Sequence, residues 1–194
     1  MHILQRSPAL LLLVLGAASL CNAANITYNV NLTIGAGSVV GDIVTDGTVG
    51  LLGSSNILDW NLLFTNPSNT YDSTGPLSGS NSLVTFAGTD YLSATANQLE
   101  YNFSGTPGSG FLSFGPGNAN ELCFSNVPFC QDQQGVTGGI GLEINNNLQT
   151  FQFDNLSGTQ AIASSAPEPS ALALLGAGIA FLGLRKRVNS HDIV

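Results

Sequence analysis

The chain has 194 residues, with 12 Asp plus Glu against 4 Lys plus Arg, and a formal net charge of −8. The basic side chains are Arg6, Arg185, Lys186 and Arg187, and the histidines are His2 and His191, so residues 24–166 contain no Lys, Arg or His. One domain fits that length. The cation-free centre excludes nucleic-acid binding by basic patches, histidine general bases, Ser-His-Asp triads and His-bearing zinc sites.

In chain order, Arg6 precedes an apolar run over 9–20, and small residues follow. This is the layout of a secretory signal peptide, residues 1–23. The small side chains Cys21 and Ala23 mark a cut after Ala23, with a cut after Ala24 as the alternative.

Residues 24–156 read as an all-β exported passenger. Ile26, Tyr28, Val30, Leu32 and Ile34 alternate with Thr27, Asn29, Asn31 and Thr33. Strict period two puts the apolar set on one face of a strand and the Asn/Thr set on the other. Asp46-Gly47 between the runs 39–45 and 48–52 predicts a tight hairpin. Trp60, Leu62 and Phe64 mark another strand, broken by Asn66-Pro67-Ser68-Asn69. Residues 72–82 read as a loop. Shorter strands are predicted at 83–87, 99–103, 111–114, 140–144 and 151–153. Many short strands with Gly, Asn, Pro and Asp between them predict an antiparallel β-sandwich or open barrel. The small, polar segment 157–166 reads as a flexible stalk.

Cys123 and Cys130 remain once Cys21 leaves with the signal peptide, an even count in an exported chain. The compartment favours a disulfide between them, with two free thiols as the alternative. Such a ring would stabilise by roughly 2–3 kcal/mol on the loop-entropy model.

The C-terminal segment opens with Pro167, Glu168 and Pro169, continues as an apolar run over 171–184 and closes with Arg185, Lys186 and Arg187. An apolar helix followed by a basic cluster is a stop-transfer element that leaves the passenger outside the cytoplasm. A helix over 171–184 would be roughly 21 Å long, short of the roughly 30 Å hydrocarbon core. The run has no polar stripe, however, and the long basic stems extend the span by snorkelling. A single transmembrane helix is therefore expected, followed by a short tail, 188–194.

This order of Pro-Glu-Pro, short Gly/Ala/Leu-rich helix and basic end resembles the PEP-CTERM sorting signal over residues 167–187. The resemblance implies a partner exosortase, a membrane-embedded enzyme that cuts near Pro167, Glu168 and Pro169. It also implies passage through the export machinery and the inner membrane, delivery to the cell surface or medium, and a role connected with exopolysaccharide or biofilm. The expectation is a structural or interaction protein rather than an enzyme, with no catalytic residues, no metal site and no cofactor.

Two other readings come from the residues. Trp60, Tyr71, Tyr91 and Tyr101 are candidates for an aromatic platform in a carbohydrate-binding or calcium-dependent adhesive module, extracellular polysaccharide being the partner, although core packing is the favoured use of Trp60. Paired carboxylates among Asp42, Asp46, Asp59, Asp72, Asp90, Glu100, Glu121, Asp132, Glu143 and Asp154 would be needed for a secreted glycosidase. Most of these acids sit in turn-like or strand-face contexts, where they serve as local hydrogen-bond acceptors.

Overall fold

The computed structural model describes residues 24–104, 110–117, 120–126, 138–145 and 152–165. The expected signal peptide 1–23, Cys130 and the segment from 166 onward, with the expected membrane helix, lie outside the described residues.

Among the described residues there are thirteen strands and no α-helix. They are β1 (Ile26–Ile34), β2 (Gly37–Thr45), β3 (Gly50–Leu51), β4 (Ile57–Thr65), β5 (Thr70–Thr74), β6 (Leu83–Ala87), β7 (Leu92–Ala94), β8 (Gln98–Asn102), β9 (Phe111–Gly115), β10 (Glu121–Ser125), β11 (Gly139–Glu143), β12 (Gln152–Asn155) and β13 (Thr159–Ser165). All pairings are antiparallel. The first sheet has eight strands in the order β3-β7-β8-β13-β1-β2-β4-β5, and the second has five, β12-β11-β10-β9-β6. The fold is thus two stacked sheets and not a closed barrel.

Alternation in β1 does what the pattern dictates. Tyr28, Val30 and Ile34 are buried, whereas Thr27, Asn29, Asn31 and Thr33 are exposed. β2 and β4 continue the same two faces, with Val39, Ile43, Trp60, Leu62 and Phe64 inside. The second sheet meets them with Leu112, Phe114, Leu122, Phe124, Ile140 and Leu142. Aromatic edges lock the layers. Trp60 meets Phe114 at 5.5 Å between ring centroids, and Tyr101 meets Phe124 at 5.8 Å. Contacts of this kind add about 0.5–1.5 kcal/mol each beyond their buried area.

The first sheet must curl. Five strand spacings separate β2 from β3 in the order, roughly 24 Å along the sheet. The chain from Thr45 to Gly50 reaches at most about 18 Å, so the β3 side bends toward β2.

Two expectations are corrected. Asp46-Gly47 does not make a hairpin. β1 and β2 are joined by the Gly35-Ala36 turn, and the free edge of β2 is taken by β4 over Ser38↔Thr65 to Thr45↔Ile57. That ladder, with Trp60, Leu62 and Phe64 buried behind it, outweighs what the shorter run 48–52 could form. Asp46 instead accepts from the Thr48 amide at 3.0 Å and from Asn56 Nδ2 at 2.9 Å, and so shapes a wide excursion to β3.

The stalk is the second correction. Residues 159–165 are β13, which lies inside the eight-stranded sheet between β8 and β1. Its small polar residues are no obstacle to a strand, because Ile162 and Ala163 point inward and are buried. Its backbone fills a gap that would leave two strand edges open.

Candidate functional site

Three places on the domain bear on function: the end where the chain enters and leaves, the outer face of the eight-stranded sheet, and the carboxylates.

The entry and exit points are neighbours. β1 and β13 are antiparallel, with Tyr28 opposite Ser165 and Asn29 opposite Ser164. Ser165 is also held by its amide, which donates to the Asn97 carbonyl at 2.7 Å. The Tyr28 hydroxyl donates to the Thr95 carbonyl at 2.6 Å, which ties the same turn to β1. The chain before Ala24 and the chain after Ser165 therefore emerge side by side at one end of the sheet. Ala24 is exposed there. Ala23, Pro167, Glu168, Pro169, Arg185, Lys186 and Arg187 lie outside the described residues.

The outer face carries polar side chains in register. Reading across the pairs, Gln98, Ser164, Asn29, Asp42, Asn61 and Thr74 form one row over six strands. The row is about 24 Å long at normal strand spacing. Thr33, Ser38, Thr65 and Thr70 form a second, all-hydroxyl row. Between the two lies the exposed apolar pair Val40 and Leu63. β1 pairs with β13 over only two residues, and where they part a cleft of about 190 Å³ opens. Asn29, Asn31, Leu32 and the stretch Ala161 to Ser164 line it, with no carboxylate among them. Sequence reading found the polar face of β1 but not the rows, which exist only once the register is set.

Gly41 makes that register tight. It lies in the middle of β2 at φ +143°, and a Cβ there would come within 1.9 Å of the Asn61 carbonyl oxygen.

The aromatic candidates are used otherwise. Trp60, Tyr91 and Tyr101 are buried, and Tyr71 is half-buried against Phe64. Trp60 Nε1 donates to Ser82 Oγ at 2.8 Å, with Ser73 Oγ at 3.3 Å. None of these three buried rings can serve as a surface platform for a sugar.

Asp59 lies on the outer face of β4, yet it is only 6 % exposed because the segment after β5 folds over it. It accepts from the Leu77 amide at 3.1 Å, from the Ser78 amide at 3.3 Å and from the Ser78 hydroxyl. Gly75 permits the approach, since a Cβ there would meet Asp59 Oδ1 at 2.5 Å. Burial works to raise the Asp59 pKa, but donation from Ser78, Leu77 and Trp60 prevails and holds it below the usual carboxylate range. Asp59→Ala is expected to cost about 1–2 kcal/mol, because charge-assisted bonds are lost while water reaches the freed amides. The Asp59 contribution is present above the unfolded carboxylate pKa of about 3.9 and is lost as pH falls through the lower folded value. Melting curves from neutral to acid pH should show the two proteins converging at the acid end. Asp42 shifts the other way, raised by burial and by the Asp59 charge.

Glu143 faces Glu121 across β10 and β11 and is 2 % exposed, with no hydrogen-bond partner for Oε1. Burial, and then the Glu121 charge, raise its pKa. An acid that holds its proton more tightly when folded makes the fold lose stability as pH rises from the unfolded value, about 4.3, through the folded one. Glu143→Gln should therefore gain about 1 kcal/mol near neutral pH. A differential scan should show that as a rise of about 2–4 °C in Tm at pH 7.5, shrinking toward pH 4. Among the described residues no group of three or more His, Cys, Asp or Glu is placed to hold a metal ion. Cys123 is buried on β10.

Fold and site together define an all-β passenger whose β13 ends at Ser165, where the C-terminal segment begins. That segment is a sorting signal: residues 165–187 match the family described as the PEP-CTERM protein-sorting motif. The motif implies an exported protein, anchored in the membrane until an exosortase cuts it. No curated protein and no solved structure matches the chain. Among the described residues no helix is long and apolar enough to cross a membrane.

Proposed function

We propose that this chain is a non-catalytic structural or interaction protein of the cell surface or extracellular matrix. It leaves the cytoplasm through the signal peptide 1–23 and is held in the inner membrane by the helix 171–184 and the stop-transfer cluster Arg185, Lys186 and Arg187. An exosortase cuts it near Pro167, Glu168 and Pro169, and the passenger then joins exopolysaccharide or biofilm material.

The observation that carries this reading is the junction. The matched motif begins at Ser165, the last residue of β13, so a finished fold abuts the cleavage signal. The in-register Asn, Ser and Thr rows support a contact role, because amides and hydroxyls on a firm sheet exchange hydrogen bonds with a hydrated glycan. The cleft at Asn29, Asn31 and Ser164 supports the second reading, a carbohydrate-binding module. The absence of enzymatic activity stays a proposal, supported by Asp59 being committed to the 75–80 segment and by the neutral lining of the cleft. A structural disulfide between Cys123 and Cys130 belongs to the same proposal. The Cys123 sulfur is disulfide-bonded, and Cys130 is the other cysteine left after signal-peptide removal.

The test is the intact mass of the protein from its native envelope and medium. Material ending near Glu168 is expected outside the cell. Secreted protein that keeps Arg185, Lys186 and Arg187 would overturn the processing scheme.

A further inference from the structure

We propose that the end of the domain where β1 begins and β13 ends is a lipid-facing surface, seated on the bilayer while the chain awaits cleavage. The proposal rests on the anchoring implied by the sorting motif and goes beyond it by assigning the surface and its partner.

The first argument is chain length. Five residues, 166–170, separate Ser165 from the apolar run 171–184. Fully extended, the path from Ser165 to Ala171 covers at most about 20 Å. The signal peptide leaves from the neighbouring strand at the same end, so before processing both apolar segments pull this end toward the membrane.

The second argument is where the exposed apolar side chains sit. The large ones are Val40, Val49, Leu51, Leu63, Leu77 and Leu83. Val40 and Leu63 form the cross-strand pair on the outer face, and Leu51, opposite Ser93, lies farther from the exit than Val49; Val49, Leu77 and Leu83 lie toward the exit end. Gly50 pairs with Ala94, Ala94 with Leu99, and Leu99 with Ala163, so Val49 stands level with the last residues of β13. Val49 is 62 % exposed and Leu51 59 %. The loop that carries Val49 starts at Thr45, opposite Ile26 at the beginning of β1. Leu77, 79 % exposed, is held by its amide on Asp59, and Asp59 pairs with Val44 one residue from that same end. Leu83 follows Ser82, whose amide bonds the Thr74 carbonyl, and its strand approaches the turn Ser54–Asn56 beside β3.

Single exposed apolar residues are ordinary, but a set gathered around the point of tethering is not. Three exposed aliphatic side chains beside a covalent anchor need little affinity of their own to reach the headgroup boundary, because the tether holds them at the surface. The carboxylate in the loop that carries Val49, Asp46, is occupied by Thr48 and Asn56. The cation-free domain offers nothing to anionic headgroups, so the attraction is apolar and a zwitterionic bilayer suffices.

The native Trp60 is the chain's single tryptophan and is buried, so it adds the same shielded background to every variant and differences in quenching come from the added ring. The full chain carrying Val49→Trp, Leu77→Trp or, at the opposite end, Ser68→Trp is reconstituted into phosphatidylcholine vesicles brominated on the acyl chains. Flotation with the vesicles and quenching of the added fluorescence are measured together. The expected result is flotation of all three, with quenching at 49 and 77 on the order of twofold or more above that at 68. Flotation with equal quenching at all three sites overturns the lipid-facing surface alone. Failure to float overturns the anchoring and this surface with it.

Discussion

A chain ending at Ser157 is expected not to fold, whereas one ending at Ser165 keeps the native domain. The difference is β13. Its removal takes Ile162 and Ala163 out of the core and strips β8 of five paired positions and β1 of two. Burial of the Ile162 side chain alone is worth about 1.5–3 kcal/mol. The two facing strand edges would be left open in the middle of a sheet, where neither water nor a neighbour fits well. Against a total stability of roughly 5–15 kcal/mol, that loss is decisive. Far-UV circular dichroism and a urea melt would separate the outcomes. The longer chain should give a cooperative transition and the shorter one should give none. A cooperative transition in the shorter chain would mean that β13 is an accessory strand, and that the sorting signal does have a slack tether after all. It also follows that the sorting cut must fall after Ser165, because a cut inside 159–165 would remove a central strand from the product.

Gly41→Ala should be nearly as damaging, although it adds one methyl group. The residue sits at φ +143°, and its Cβ would overlap the Asn61 carbonyl, which cannot move without breaking the β2–β4 ladder. A side chain forced into that backbone region costs about 1–3 kcal/mol, and overpacking about 1–3 more, so roughly 2–6 kcal/mol is expected. The midpoint of urea unfolding should fall accordingly. A loss under about 0.5 kcal/mol would show that the strand pair can relax, since that is the range of an ordinary surface change. The site is also the pivot of the outer face. Asp42 and Asn61, its neighbours in the long polar row, stay in register because β2 and β4 can approach so closely here.

Which parts could be read from residue order follows from how local each signal is. β1 was legible because period-two alternation over nine residues is a one-dimensional signal, and Trp60, Leu62 and Phe64 repeated it in β4. The terminal sorting signal was legible for the same reason. Its elements lie within a short stretch, and the match at 165–187 agrees with that reading. β7 escapes sequence reading because it has three residues, and β10 because its pairing with β9 and β11 sets it rather than its own pattern. β5 was missed because Asp72, Ser73 and Thr74 look like loop residues until β4 offers them an edge. β13 is not legible in the residue order, because its low hydrophobicity is equally that of a stalk. Its burial depends on β8 and β1, more than fifty residues away along the chain.

Composition and local periodicity carry three properties of this chain: its all-β centre, the lack of cations there, and the sorting segment that follows. Long-range pairing sets three others: the signal starts where a central strand stops, Trp60, Tyr91 and Tyr101 pack in the core, and Val49, Leu77 and Leu83 lie near the exit. Those are properties of register and of strand order. They arise from pairings between distant segments, and no local pattern encodes which distant edge a strand will find.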